Sequence, residues 1–411
     1  MILLSHPTGN ANVRNALLAF ARANILNAFW TCVRWDAQSP FNRFLPGGLR
    51  AELSRRSYPR EILLRTVCHP WREAGRLVAQ RAGMHWLTRH ERGAYSVDAV
   101  YRDLDSRVAR ALHRSTASTV YAYEDGAAET FRVANDLGIR TIYDLPIGYW
   151  RAARKIQQEE AARKPEWAAT LPANLDSDEK LARKDDELKR AQRIIVPSHF
   201  VRRTLELAPD LSVPIDVIPF GAPALKPREN RRGHGRTLRA LFVGSLTQRK
   251  GLSYLLDAVN ALQPHIKLTL IGRPVKMCRP LEKALTQHRW IASAPHEQIL
   301  KEMERHDVLI FPSLFEGQAL VILEAMSRGM AVITTSNSGG ADIIDPGRDG
   351  FIVPIRSAAA IQAKLEILLC DRARLEDVSF AAQCKAATFT WEKYGERLTR
   401  AVLERELAES A

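Results

Sequence analysis

The chain has 411 residues, and 60 Lys and Arg against 46 Asp and Glu give it a formal charge of +14. Its 46% hydrophobic and 26% charged residues are globular values that exclude a disordered or collagen-like chain, and a prior of roughly 150 residues per domain predicts two or three domains. No apolar run approaches the roughly 20 residues of a membrane span, and the start Met1–Ser5 lacks the charged leader of a secretory signal.

Strand-like apolar runs recur along the chain at 1–5, 118–123, 140–144, 193–197, 215–219, 239–243, 267–271, 307–311, 331–334 and 351–354, with helical patterns between them. That alternation predicts an α/β protein whose parallel sheets are covered on both faces by helices. The polar stretch between Gly221 and Thr237 reads as a linker, which divides the chain into a first domain of 1–222 and a second of 223–387. A final helical segment is predicted over 388–411.

Five cysteines (Cys32, Cys68, Cys278, Cys370 and Cys384) are scattered without any CxxC. They predict reduced, buried thiols rather than a disulfide framework or a zinc site. The positive charge is concentrated at the start. Residues 1–100 carry 14 Arg, no Lys and six acids, a local charge of +8. Between 41 and 92, Arg50, Arg55, Arg56, Arg60, Arg65, Arg72, Arg76 and Arg81 alternate with apolar residues such as Leu49, Ile62, Val67, Trp71 and Val78. The pattern predicts amphipathic helices with a basic face, suited to an ordinary solvated surface, an anionic membrane surface or a polyanion. Nucleic acid is not expected, because no zinc-finger spacing, RNP-like strand or basic heptad region is present.

The most informative run is Asp307 to Thr335. A buried strand ends at Pro312-Ser313, Glu316-Gly317 follow in a loop, a helix is predicted from Gln318 to Arg328, and Gly329 closes it before the next strand. Glu316 and Glu324 are eight residues apart, about two helical turns or roughly 12 Å, which on one continuous helix sets them on the same side. The helix N-terminus between them suits a diphosphate. Upstream, Arg249-Lys250 follow a strand and precede Gly251 and a helix, where cations face a phosphate.

The stretch FPSLFEGQALVILEAMSRGMAVITTSNSGGADIIDPGRDGFIVP resembles the C-terminal domain signature of family 4 glycosyltransferases, and LFVGSLTQRKGLSYLLDAV and LTLIGRP extend the likeness. That resemblance implies a GT-B fold: two Rossmann-like domains whose parallel sheets face a cleft, with a C-terminal helix crossing back to the first. It implies retaining transfer from a nucleotide-diphosphate sugar, with no cofactor and no metal, to a glycan or lipid-linked acceptor. Glu316, Lys250 and Arg249 are the catalytic candidates, and Gly244, Ser245, Gly317, Gln318, Ala319, Leu320 and Glu324 the donor-binding ones. Ser245 stands where the family often has an arginine, and Asp342 where it has a glutamate.

The first 180 residues match the family only in strand rhythm. Many members carry a histidine after the strand that corresponds to 141–144; this chain has Asp144. His6, Gly9, Glu124 and Asp144 follow predicted strands and are the acceptor-side candidates. Two DxD sequences, Asp103–Asp105 and Asp176–Asp178, are read as surface charge. The expected setting is cytoplasmic, with the inner membrane face as a peripheral location. Rival readings are a non-catalytic nucleotide- or glycan-binding protein of the same fold, and a sugar-nucleotide epimerase. A Rossmann dehydrogenase is disfavoured because no GxGxxG follows a strand.

Overall fold

A computed structural model describes the chain except for residues 37–42, 44–52, 54–55, 174, 227–236 and 405–411. Leu49, Arg50 and Arg55 of the basic stretch, most of the expected linker and the end of the C-terminal segment lie outside the described residues.

Two parallel sheets form as the strand rhythm predicts. The first has seven strands in the order β3-β2-β1-β4-β5-β6-β7: β1 (Ile2–Ser5), β2 (Leu26–Thr31), β3 (Thr66–Cys68), β4 (Thr119–Tyr123), β5 (Arg140–Asp144), β6 (Arg193–Val196) and β7 (Ile215–Val217). The second has six in the order β10-β9-β8-β11-β12-β13: β8 (Leu238–Val243), β9 (Ile266–Ile271), β10 (Arg289–Ile291), β11 (Val308–Phe311), β12 (Ala331–Thr334) and β13 (Phe351–Ile352). Central strands are buried on both faces, as TVYAY of β4 and VLIF of β11 are throughout, which explains their continuous apolar character. In each sheet the strand order reverses once, between β1 and β4 and between β8 and β11. A crevice opens at the carboxyl ends of the strands at such a reversal, and the functional loops belong there.

The structure adds three strands that the sequence pattern did not announce, β2, β3 and β10. β3 and β10 are three-residue edge strands, too short to show an alternation. β3 also corrects the expectation of continuous amphipathic helices over 41–92. Among the described residues that region holds a single helical turn at Arg60–Leu63, the strand, one longer helix, Trp71–Arg81, and a 3-10 turn at His85–Thr88. Arg56, expected on a basic face, is buried on Glu73 at 2.5 Å, and Arg76 joins the same carboxyl at 2.6 Å. The thiols are free, but of the five Cys32 alone is buried; Cys68 and Cys278 are half-buried, and Cys370 and Cys384 are exposed.

The two halves are joined more closely than a linker requires. The helix Trp150–Arg163 and the 3-10 turn Pro165–Thr170 lie in the first half of the sequence, yet Trp167 is part of the second sheet's hydrophobic core. Ile156 touches the cores of both halves. The C-terminal helix, Trp391–Leu403, returns to pack on the helix Ala11–Arg22, with Tyr394 and Leu398 buried in the first domain's core. The helices approach closely because position 395 is glycine: a Cβ there would fall 2.8 Å from Ala19 Cβ. Gly395→Val should therefore force them apart and destabilise the protein by about 1–3 kcal/mol. A melting curve checks this, with Gly395→Ala expected to fall between that variant and the unaltered protein.

Candidate active site

The site is assembled around the β8/β11 reversal. After β8, Gly244 (φ +147°) turns the chain, and the Thr247 hydroxyl accepts from Arg249 N at 3.2 Å, shaping the short turn Gln248–Lys250. Gly251 (φ +72°) leads into the helix Leu252–Asn260; a Cβ at 251 would lie 2.1 Å from Pro312 O, so only glycine lets this turn pack against the end of β11. After β11 the chain presents Glu316, fixed by its N–H to Asn337 O at 3.1 Å.

Three charges meet at that point. The Lys250 ammonium bonds Glu316 Oε2 and stands 4.7 Å over the Phe311 ring. Arg249 Nη1 donates to the same carboxylate oxygen at 3.2 Å and to Phe315 O at 2.7 Å. Burial by itself would raise the Glu316 pKa, but the charges of Lys250 and then Arg249 outweigh it and hold the carboxyl below its ordinary range. Burial lowers the Lys250 pKa, with Arg249 adding to the effect and Glu316 opposing it. The arrangement is a desolvated anion shared by two cations, and it leaves a net positive site.

Gly317 closes the cleft. A Cβ there would sit 1.8 Å from Pro146 O of the loop after β5, and its carbonyl accepts from Ser198 Oγ at 2.8 Å. Gln318 is buried, with Oε1 accepting from Phe220 N at 2.7 Å, and Ala319 N donates to Ser338 O at 3.0 Å. These residues are extended. The helix begins only at Leu320 and runs to Ser327 with no side-chain cap at its N-terminus. Glu316 lies in the loop before the helix, as expected, and Glu324 on the helix; what is corrected is the helix start, at Leu320 rather than Gln318, and with it the helical spacing that was to set both glutamates on one side. Glu324 accepts from His296 Nε2 at 2.9 Å, and that hydrogen bond, against some desolvation, raises the histidine's pKa. Ser245 is half-buried beside Gly244.

The first-domain candidates divide into two groups. Glu124 lines a cavity of about 380 Å³ together with Arg249, Phe315, Trp150, Lys184 and His90, so it shares a wall with the charged cluster. Burial raises its pKa, while Lys184 Nζ, 3.4 Å away, pulls the other way. His6, Gly9 and Asp144 are not among that cavity's lining residues. His6 is buried, and its Nδ1 accepts from Gly9 N at 2.9 Å and Thr8 N at 3.1 Å, so it shapes the loop after β1. Gly9 (φ +60°) packs against Tyr58, whose hydroxyl would be 2.1 Å from any Cβ at that position. Asp144 is buried and accepts from the Tyr121 hydroxyl at 2.5 Å; burial pushes its pKa to about 7 despite the help of the Tyr121 and Tyr123 hydroxyls.

Asp342 bonds His199 N and Nδ1 at 2.7 and 2.8 Å, a stitch between the two halves. One reading of surface charge needs correction. Asp105 is buried and caps the helix Ala128–Asp136, accepting from Glu129 N and Thr130 N at 2.9 Å each. Among the described residues, His90, Glu91 and Asp176 form the one grouping with metal-ligand spacing; Lys180 and Lys184 already reach Asp176 at 3.1 and 3.6 Å, a charge arrangement that disfavours a cation.

A group that sequence reasoning missed supports the cation turn from behind. Glu160, with no exposed surface, accepts from Gln248 Nε2 at 2.7 Å, Arg356 Nε at 2.8 Å and the Tyr254 hydroxyl at 2.9 Å. Gln248 N in turn donates to Thr170 Oγ1 at 2.9 Å, and Thr247 Oγ1 to Thr170 O at 2.5 Å. No signal in QQEEAAR marks Glu160 as different from its solvated neighbours.

With this geometry in view, residues 228–385 match the family model for glycosyl transferases group 1. That match covers the second domain. Similar curated proteins include the amylovoran biosynthesis glycosyltransferase AmsK of Erwinia amylovora, 27% identical over 41% of this chain and 45% of its own. A glycogen synthase of Mycobacterium tuberculosis is 27% identical over 43% of this chain and 45% of its own. The chain thus spans less than half the length of these relatives. Sucrose-phosphate synthase from Thermosynechococcus elongatus aligns over 100% of this chain and 99% of its own with a TM-score of 0.70 at 16% identity. Anabaena HepE in complex with UDP aligns over 98% of this chain and 99% of its own with a TM-score of 0.62 at 15% identity. The fold is GT-B.

Two outcomes follow from the buried groups. Glu160→Ala leaves three buried donors without their shared acceptor and should cost about 3–5 kcal/mol of stability, measured by urea unfolding. His6 and Asp144 set opposing pH slopes. Burial lowers the His6 pKa to about 4, so its contribution is present above 6.5 and is lost as the pH falls towards 4. Asp144 is raised from 3.8 to about 7, so its contribution is present below 3.8 and is lost as the pH rises to 7. Asp144→Asn should remove the second slope, and melting temperature should then rise with pH between 4 and 6.5 more steeply than in the unaltered protein.

Proposed function

We propose that the protein is a retaining glycosyltransferase that moves a sugar from a nucleotide-diphosphate sugar to a glycan or lipid-linked acceptor, in cell-surface or exopolysaccharide synthesis, with no resident metal or cofactor. The observation that carries this reading is the convergence of Lys250 and Arg249 on Glu316 beside an uncapped helix N-terminus, inside a domain of the glycosyl transferases group 1 family. Relatives named as glycosyltransferases and synthases, and a fold neighbour solved in complex with UDP, point to the same chemistry.

Departure of a nucleoside diphosphate leaves new negative charge on its terminal phosphate. Lys250, Arg249 and the N–H groups at the start of Leu320–Ser327 are assigned to stabilise such charge, the form of electrostatic catalysis that dominates in many enzymes. Glu316 occupies the cations when the site is empty. A bound diphosphate takes over that pairing and frees the carboxylate for the hydroxyls of the donor sugar. Glu324 is assigned to the ribose, exchanging or sharing its bond with His296. The acceptor hydroxyl attacks from the face the diphosphate leaves, and the diphosphate takes its proton. This fits a protein that supplies positive charge and no separate base, and the two cations do the work that a metal does elsewhere. Glu124, on the cavity wall it shares with Arg249, is assigned to the acceptor.

Thermal shift against UDP-, GDP- and ADP-sugars identifies the donor, since a ligand of the native state raises the melting temperature. Lys250→Ala should lower turnover with that donor at least tenfold, or ~1.4 kcal/mol. Unchanged turnover removes Lys250 from the mechanism, and saturable binding without transfer or hydrolysis favours the non-catalytic alternative.

A further inference from the structure

The helix Trp71–Arg81 is amphipathic in the wrong direction for a helix whose outer side meets only water. Its inward side carries Glu73, 1% exposed and bound by Arg56 and Arg76. Its outward side carries Trp71 at 79% exposure and Val78 at 60%. These two are seven residues apart, within roughly 20° of each other around the axis. The turn His85–Thr88 packs on this helix and adds Trp86, 72% exposed. The neighbouring edge strand β3 and the turn before it add Val67 and Leu64, at 37% and 90%.

Charge gives the occupant of this face. Arg81, Arg89 and Arg92 are exposed and pair with no acid among the described residues. Between Arg60 and Val97 there are seven arginines and three acids. Of those acids, Glu73 is consumed by buried arginines and Glu91 is bound to Ser177. Exposed tryptophans in a segment whose Arg81, Arg89 and Arg92 pair with no acid among the described residues match an interface that is apolar a few ångströms down and anionic at its surface. The excess of seven arginines over three acids is the feature that favours an anionic lipid surface as the occupant. No helix among the described residues is long and apolar enough to cross a membrane, so contact through this face is peripheral.

We propose that the face formed by Trp71, Val78 and Trp86, with Arg81, Arg89 and Arg92, docks the protein on an anionic lipid bilayer. The tryptophans enter the headgroup region and the arginines neutralise lipid phosphates. The proposal is independent of the transfer reaction, because nothing in it involves the β8/β11 site.

The test uses the full chain and vesicles alone, without sugar nucleotide. Sedimentation with vesicles of phosphatidylcholine containing phosphatidylglycerol is compared with phosphatidylcholine only, and tryptophan emission is recorded with each. Binding should be at least about tenfold tighter to the anionic vesicles, fall with salt and shift the emission to the blue. Trp71→Ala with Trp86→Ala should abolish the blue shift and weaken binding about tenfold. Arg89→Glu with Arg92→Glu should remove the preference for anionic lipid. All four side chains are exposed, so circular dichroism should be unchanged, and Phe380→Ala, on a different exposed helix, should bind like the unaltered protein. Equal binding to both vesicle types, or double variants that bind like the unaltered protein, overturns the proposal.

Discussion

A buried carboxyl has to be met by donors, and every side-chain donor that meets Glu160 comes from the other half of the chain. Much of the site depends on that constraint. Gln248 holds Glu160 with its amide and begins the short turn that ends in Arg249 and Lys250. The position of the two cations is thus tied to a residue of the helix Trp150–Arg163, some ninety positions earlier in the sequence. Thr170 adds two more bonds to the same turn. In front of it, the same cations grip Glu316. The turn is held from behind by hydrogen bonds and from in front by charge.

Glycine positions show how tightly the parts fit. Gly251 lets the turn rest on β11, and Gly317 lets the glutamate loop rest on the loop after β5. Neither contact leaves room for a methyl group, so both loops pack backbone to backbone. A charged cluster needs this, because burying Lys250 and Glu316 is favourable only while each stays in reach of the other.

The sequence made the second half legible because its signals are local. The strand, Glu-Gly loop, helix and glycine after β11 follow one another within thirty residues, and the structure bears out their order. The phase relation between Glu316 and Glu324 failed for an equally local reason: Gly317–Ala319 is extended, being pinned across the cleft by Ser198 and Phe220. The first half was less legible. Its edge strands are three residues long, its buried arginines look like surface ones until Glu73 is seen inside, and Asp105 caps a helix that begins more than twenty residues later. Glu160 was invisible for the same reason, since nothing in a helix of charged residues says which one will face a second domain.

Three segments now join the two halves: the connection before β8, the return to the helix Trp391–Leu403, and the strap at 150–170. Two strands of chain crossing near one another, as Ala222 and Thr390 do where they pair, make an axis about which the domains can swing. A third crossing is anchored through Glu160 and Trp167. Any swing about that axis would have to break the Glu160 hydrogen bonds and draw Trp167 out of the second core, so the strap couples the angle between the domains to a buried polar cluster and an aromatic side chain.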